Sequence, residues 1–141
     1  SYVKPHGALY NDMMSKPAVW QAVVQAIASY HKPLKLMLLA DNNRHTYQQH
    51  AAELKVELLF EAFADRRYTD EGKLTPRNQS GAVLHDAEVL TQVTELLNDG
   101  SVTTATGQRL ALQADTLCVP GDNPAAVAQV AQIRQLLQAG L

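Results

Sequence analysis

The chain has 141 residues, 46% hydrophobic and 18% charged, with a formal net charge of −2 and an isoelectric point near 6.2. That composition suits one globular domain with a sizeable core and offers no basic surplus for nucleic acid or an anionic membrane. The single cysteine, Cys118, excludes an internal disulfide. With no run near the roughly 18 apolar residues that span a bilayer and no legible signal peptide, a cytoplasmic protein is expected.

The first eleven residues, "SYVKPHGALYN", read as the carboxyl end of a β-strand running into a helix entry. Lys4 and His6 are two apart, so a strand points both the same way. The spacing predicts a helix over residues 15–30, with Trp20, Val23, Val24, Ile27 and Tyr30 on one stripe and Pro17 in its first turn. A short apolar run at 34–39 reads as a buried strand. A weaker helix follows from Arg44, with Tyr47, Ala51 and Leu54 on one side. Residues 56–63, "VELLFEAF", are near-continuously apolar, as parallel strands are.

A polar stretch at 65–80 contains the breakers Gly72 and Pro76. Asp86 reads as the N-cap of a helix striped by Val89, Leu90, Val93, Leu96 and Leu97 and ended by Gly100. Two β-type runs flank Thr106 and Gly107, which predicts a hairpin insertion. "DTLCV" is the last strand. The final helix is capped by Asp122 or Asn123, with Pro124 at its first position. The alternation of strands and helices predicts an α/β fold with parallel strands.

In such folds chemistry collects at the carboxyl ends of strands. The residues there are Lys4 and His6, then Asp41 and Asn42, then Asp65, Arg66, Arg67 and Tyr68, and last Gly121 and Asp122. Each has a bland alternative. Lys4 alone is a solvated lysine, Asp41 reads better as a helix cap, Asp122 reads equally well as one, and adjacent arginines are usually a surface pair. His6, tight between a proline and a glycine, is the hardest to dismiss. His45 and His50 are five apart, off the spacing that puts two metal ligands on one helix face, and read as surface residues. His31 and His85 show no ligand spacing. Cys118 reads as a buried, inert thiol. The P-loop and the nucleophile-elbow motif are both lacking.

Three blocks carry a resemblance: "VKPHGALYN" at 3–11, "FADRRYTDEGKLTPRNQSGAVL" at 63–84, and the Gly-Asp pair at 121–122. In these blocks, in this order, the chain resembles the LamB/YcsF family. The likeness runs over the whole chain but only the later part of the family's length. The family's earlier acidic and His-containing blocks have no counterpart here. One position departs: the family usually has a His before its final Gly-Asp, and this chain has Pro120.

The resemblance implies a TIM-like β/α barrel of the glycoside hydrolase/deacetylase type, incomplete here for want of its first strands, in one domain over residues 1–141. It implies the A subunit of an ATP-dependent 5-oxoprolinase, which opens the lactam of 5-oxoproline (pyroglutamate) to L-glutamate with ATP hydrolysis, together with the B and C subunits. Lys4, His6, Asp65, Arg66, Tyr68 and Arg77 match the family's blocks directly, and Asp122 lies in its Gly-Asp pair. Such a reaction needs cationic donors for a carboxylate or a phosphorylated intermediate, which Lys4, Arg66 and Arg77 supply. It needs a group titrating near neutrality, for which His6 is the candidate. Asp65 is placed to orient His6 or Lys4, or to act as a base. Catalysis is thus assigned to Lys4, His6 and Asp65, and substrate binding to Arg66, Tyr68, Arg77 and Asp122.

Two rival readings stand beside this one. One is a metal-dependent amidase or polysaccharide-deacetylase-like hydrolase with His6 as a zinc ligand, its other ligands coming from the family blocks without a counterpart here. The other is a non-catalytic subunit that binds substrate or holds the complex together. Three placements are expected: Lys4 and His6 face the barrel mouth near Asp65 and Arg66; the 65–80 loop folds over that mouth and brings Arg77 to it; and an arc of about four strands with open edges is inactive alone and pairs with its missing segment or with a copy of itself.

Overall fold

The computed structural model describes residues 1–41, 43–85, 87–119, 128, 131–135 and 138. Asn42, Asp86, Pro120, Gly121, Asp122, Asn123 and Pro124 lie outside the described residues, and with them the expectations for Asp86, Asp122 and the last helix cap.

Four parallel strands make the sheet: β1 (Tyr2–Val3), β2 (Lys35–Leu39), β3 (Leu58–Phe63) and β6 (Thr116–Cys118), in the order β1-β2-β3-β6. The register sets Val3 opposite Leu36, Leu36 opposite Leu58, and Phe63 opposite Cys118. Strands that follow one another in sequence and pair in that order are what a β/α barrel requires. Leu36 to Leu39 are all buried, so β2 is covered on both faces, as its unbroken apolar run foretells.

The amino-terminal helical segment differs from expectation. Helix α1 (Ala8–Ser15) precedes α2 (Pro17–Ala28), and the two are separated at Lys16. Lys16 is extended because the ring of Pro17 disfavours the helical region for the residue before it. Tyr10, Met13 and Met14 are the buried stripe of α1; Trp20, Val24 and Ile27 are that of α2. Tyr30 lies beyond α2 and is half-exposed.

Helix α3 (Arg44–Glu53) packs on β3, where the Arg44 guanidinium stacks over the Phe60 ring at 4.2 Å. Its N-cap residue is Asn43, without a side-chain capping bond, so Asp41 is not the cap. His50 is half-buried rather than a surface residue: its Nδ1 accepts the indole N–H of Trp20 at 3.0 Å.

Helix α4 (Ala87–Asp99) leads into the expected hairpin, β4 (Ser101–Thr103) and β5 (Arg109–Ala111), which pair antiparallel. Gly107 holds φ 88° in its turn, a value that glycine takes without strain. One core lies between the sheet, α1, α2 and α3 and reaches Val102 and Leu112 of the hairpin. A second joins Ala64, Leu84, Val89, Val93 and Ile133.

The stretch between β3 and α4 is ordered by its own hydrogen bonds. Arg66 bridges Val83, Tyr68 bridges Leu74, and the backbone N–H groups of Arg67 and Thr75 bond to the carbonyls of Ala82 and Arg67. The Gln92 amide of α4 donates to the carbonyls of Phe63 and Arg66 at 2.7 and 2.9 Å, which satisfies backbone acceptors where β3 ends.

Candidate functional site

The site is built at the carboxyl ends of β1 and β3. Beyond β1, Pro5 is buried and Gly7 turns the chain into α1 at φ 60°, ψ −132°. That conformation is open to glycine and strained for any residue with a Cβ. The turn sets Lys4, His6 and the first residues of α1 around an open cleft of about 300 Å³. The opposite wall is Phe63 from β3, with Arg66, Leu74 and Arg77 from the segment that follows.

Beneath Lys4 lies Glu61, whose side chain is only 3% exposed. Its Oε1 accepts from Lys4 Nζ at 2.6 Å and its Oε2 from the Tyr10 hydroxyl at 3.0 Å. Side chains alternate along a strand, so Phe60 meets Arg44 on the helix side while Glu61 meets Lys4 and Tyr10 on the other. The Lys4 ammonium also sits 5.5 Å from the Phe63 ring centroid and 5.9 Å from that of Tyr10. Burial, then the Glu61 charge, pushes the Tyr10 phenol far above its ordinary value. Burial likewise raises the Cys118 thiol against the opposing pull of Lys4, which fits an inert thiol.

The arginines diverge. Arg66 is 9% exposed and gives one N–H to the Thr75 carbonyl at 2.8 Å, while its buried Nε has no partner. Burial, then the nearby charge of Arg77, lowers its pKa, and Asp65 opposes that. Arg67 points the other way, to the Thr103 carbonyl at 2.9 Å and to Glu88 at 3.5 Å. They are not a surface pair.

The structure therefore brings together Lys4, His6, Arg66 and Arg77, and leaves two expected site residues outside the cleft wall. Tyr68 is fully buried, with its hydroxyl accepting the Phe63 N–H at 2.9 Å, so its side chain belongs to the core rather than to a substrate contact. Asp65 is half-buried beside β3, and the carboxylate that holds Lys4 is Glu61 instead. Sequence pattern alone does not single out Glu61. Its signal was a charged residue between Phe60 and Ala62 in a strand buried on both faces.

Asp41 also has a role beyond local turn geometry. Its Oδ1 accepts from the Asn43 N–H at 2.8 Å, and its Oδ2 pairs with Lys73 Nζ at 3.0 Å. Lys73 donates as well to the Met14 carbonyl at 3.0 Å and so straps the loop to α1 and β2. Among the described residues no three His, Cys, Asp or Glu side chains converge as metal ligands, and no helix is long and apolar enough to cross a membrane.

The model of the LamB/YcsF family matches residues 1–140. The chain belongs to the LamB/YcsF family. It is 53% identical over 138 residues to the 5-oxoprolinase A subunit of Vibrio cholerae, covering 97% of this chain and 55% of that protein. It is 49% identical to the 5-oxoprolinase A subunit of Pseudomonas fluorescens, over the same shares. Among solved structures it resembles the lactam utilization protein of Thermus thermophilus, with a TM-score of 0.81 at 30% identity over 99% of this chain and 55% of that one. The α/β fold with parallel strands is thus that of a TIM-like barrel. This LamB/YcsF chain spans about half the length of the curated relatives it matches.

Proposed function

We propose that the chain forms part of the A subunit of an ATP-dependent 5-oxoprolinase, opening the lactam of 5-oxoproline to L-glutamate with ATP hydrolysis, in a complex with the B and C subunits. One observation carries the reading: Lys4 and His6 from the first family block meet Arg66 and Arg77 from the second around a single cleft. About 300 Å³ suits a small acid, at the low end of ligand pockets. The relatives named as 5-oxoprolinase components, with the lactam utilization protein, support the choice of substrate.

Lactam hydrolysis adds water across the C–N bond. Hydroxide ends on the carbonyl carbon and a proton on the ring nitrogen. ATP drives the opening by transferring its γ-phosphoryl group to the amide oxygen. Water adds to the carbon, the C–N bond breaks as the nitrogen takes a proton, and a second water hydrolyses the resulting acyl phosphate to the carboxylate and inorganic phosphate. In this reading His6, exposed at the cleft, moves the proton. Lys4 is held at the cleft floor by Glu61 and presents an ammonium to negative charge developing on the carbonyl oxygen. Asp65, outside the cleft wall, lies close enough to Arg66 to favour the charged form of that guanidinium. The test is glutamate release from 5-oxoproline by the full-length A subunit that carries this sequence, with the B and C subunits and ATP. His6→Ala is expected to lower kcat by about 100-fold or more while the fold is kept. A His6→Ala complex at full rate overturns the reading.

A further inference from the structure

Lys4, His6, Arg66 and Arg77 all face the cleft, but their charges are not equally available. The ammonium of Lys4 already has a carboxylate partner, Glu61 at 2.6 Å. Arg66 and Arg77 form none of the ion pairs seen among the described residues. Arg66 is nonetheless buried and fixed by the Thr75 carbonyl, with its Nε left unpartnered. Both guanidiniums line the same cleft, with Arg77 near enough to act on Arg66 and Asp65 opposing it from outside the wall. No carboxylate among the described residues forms an ion pair with either, an arrangement that an anion relieves.

A second feature points the same way. Helix α1 starts at the cleft, with Gly7 in the lining. It has no side-chain cap and no acidic residue in its first turn, so no side chain among the described residues caps its positive dipole end.

We propose that Arg66, Arg77 and the amino terminus of α1 form an oxyanion subsite that takes one carboxylate or phosphoryl group of the substrate, and that Lys4 is not part of it. The proposal rests on the lactam reading in taking the 5-oxoproline carboxylate as the occupant. It implies a division of labour. The guanidinium side of the cleft grips the substrate's permanent charge, and the Lys4–Glu61 side faces the reacting carbonyl. A lactam without the carboxylate then loses its anchor.

The experiment is an NMR-monitored titration of the full chain with 5-oxoproline, with 2-pyrrolidinone (the same ring without the carboxylate) and with inorganic phosphate, for the unaltered protein and for Arg77→Gln. Arg77 is exposed, so its replacement is expected to leave the fold and its amide spectrum intact. Arg66→Lys serves as the second variant, because it keeps the buried charge and loses the planar fork. The expected result is saturable binding of 5-oxoproline that weakens about tenfold or more in Arg77→Gln and falls with added salt, with no saturable binding of 2-pyrrolidinone. Phosphate that binds with the same Arg77 dependence and displaces 5-oxoproline also supports the subsite. Arg77-dependent phosphate binding without any 5-oxoproline binding upholds the subsite and removes the lactam reading. Equal binding of both lactams, indifferent to Arg77→Gln, removes the subsite and leaves the lactam reading standing. Absence of saturable binding by either anion overturns the proposal.

Discussion

Glu61 decides how the cleft floor behaves, because a carboxylate 3% exposed needs partners for both oxygens and finds them in Lys4 and Tyr10. Lys4→Met takes away the charged partner and leaves Glu61 buried against one phenol. The expected cost is about 3–5 kcal/mol, read as a shift in the urea midpoint. Lys4→Met combined with Glu61→Leu removes both charges and is expected to recover most of that loss. Simple additivity of the two single changes would show that the pair is not coupled. The phenols make a separate prediction. Burial raises Tyr10 and Tyr68 above the ordinary tyrosine value of about 10, so the fold holds both as neutral phenols. Their contribution is complete below about pH 10. Above it the unfolded chain gives up protons that the native one keeps, and stability falls as pH rises. Tyr10→Phe is expected to flatten the fall in melting temperature between roughly pH 9.5 and 11.5. An unchanged slope would mean that Tyr10 ionises freely in the folded protein.

Among the elements, the segment between β3 and α4 has little regular structure and still lines the cleft with Arg66, Leu74 and Arg77. Sequence shows it as a polar stretch too long for a connector, and the structure explains the length. It makes its own bridges, straps itself through Lys73 to Asp41 and Met14, and delivers Arg66 and Arg77 to the cleft. Lys73→Ala strands the Asp41 carboxylate, whose side chain is fully buried. Amide exchange at Thr69 and Thr75, both hydrogen-bonded inside the loop, is expected to quicken by about tenfold or more, while Val24 in α2 keeps its protection. Equal protection at the loop amides would mean that the strap contributes nothing. Periodicity sufficed for β2, β3, α4 and the hairpin, where one face or both are apolar. It failed for α1, whose stripe of Tyr10, Met13 and Met14 is short and ends at the Lys16–Pro17 junction. It could not separate Glu57 from Glu61 in the same apolar run, since one side chain is 74% exposed and the other 3% only through tertiary packing. Nor could it find the Lys73–Asp41 pair, whose members are 32 residues apart.

At the scale of the molecule, the open question is the sheet's margin. Each outer strand of the four, β1 and β6, hydrogen-bonds on one side only among the described residues. Parallel sheets are stable where both faces and both edges are covered, and an uncovered edge is a template for another strand. The outer strands are short, two and three residues, which limits the hazard without removing it. Tyr2, on the β1 edge strand, is 57% exposed, one of the few large hydrophobic side chains so exposed. With β1 and β6 each open on one side among the described residues, the sheet is expected to find cover from a second polypeptide. At tens of micromolar the protein is expected to sediment at a mass above the 15.4 kDa of one chain, and dilution is expected to lower both that mass and the melting temperature together. A single species at 15.4 kDa, with a melting temperature independent of concentration, would mean that the edges are already protected by the chain itself.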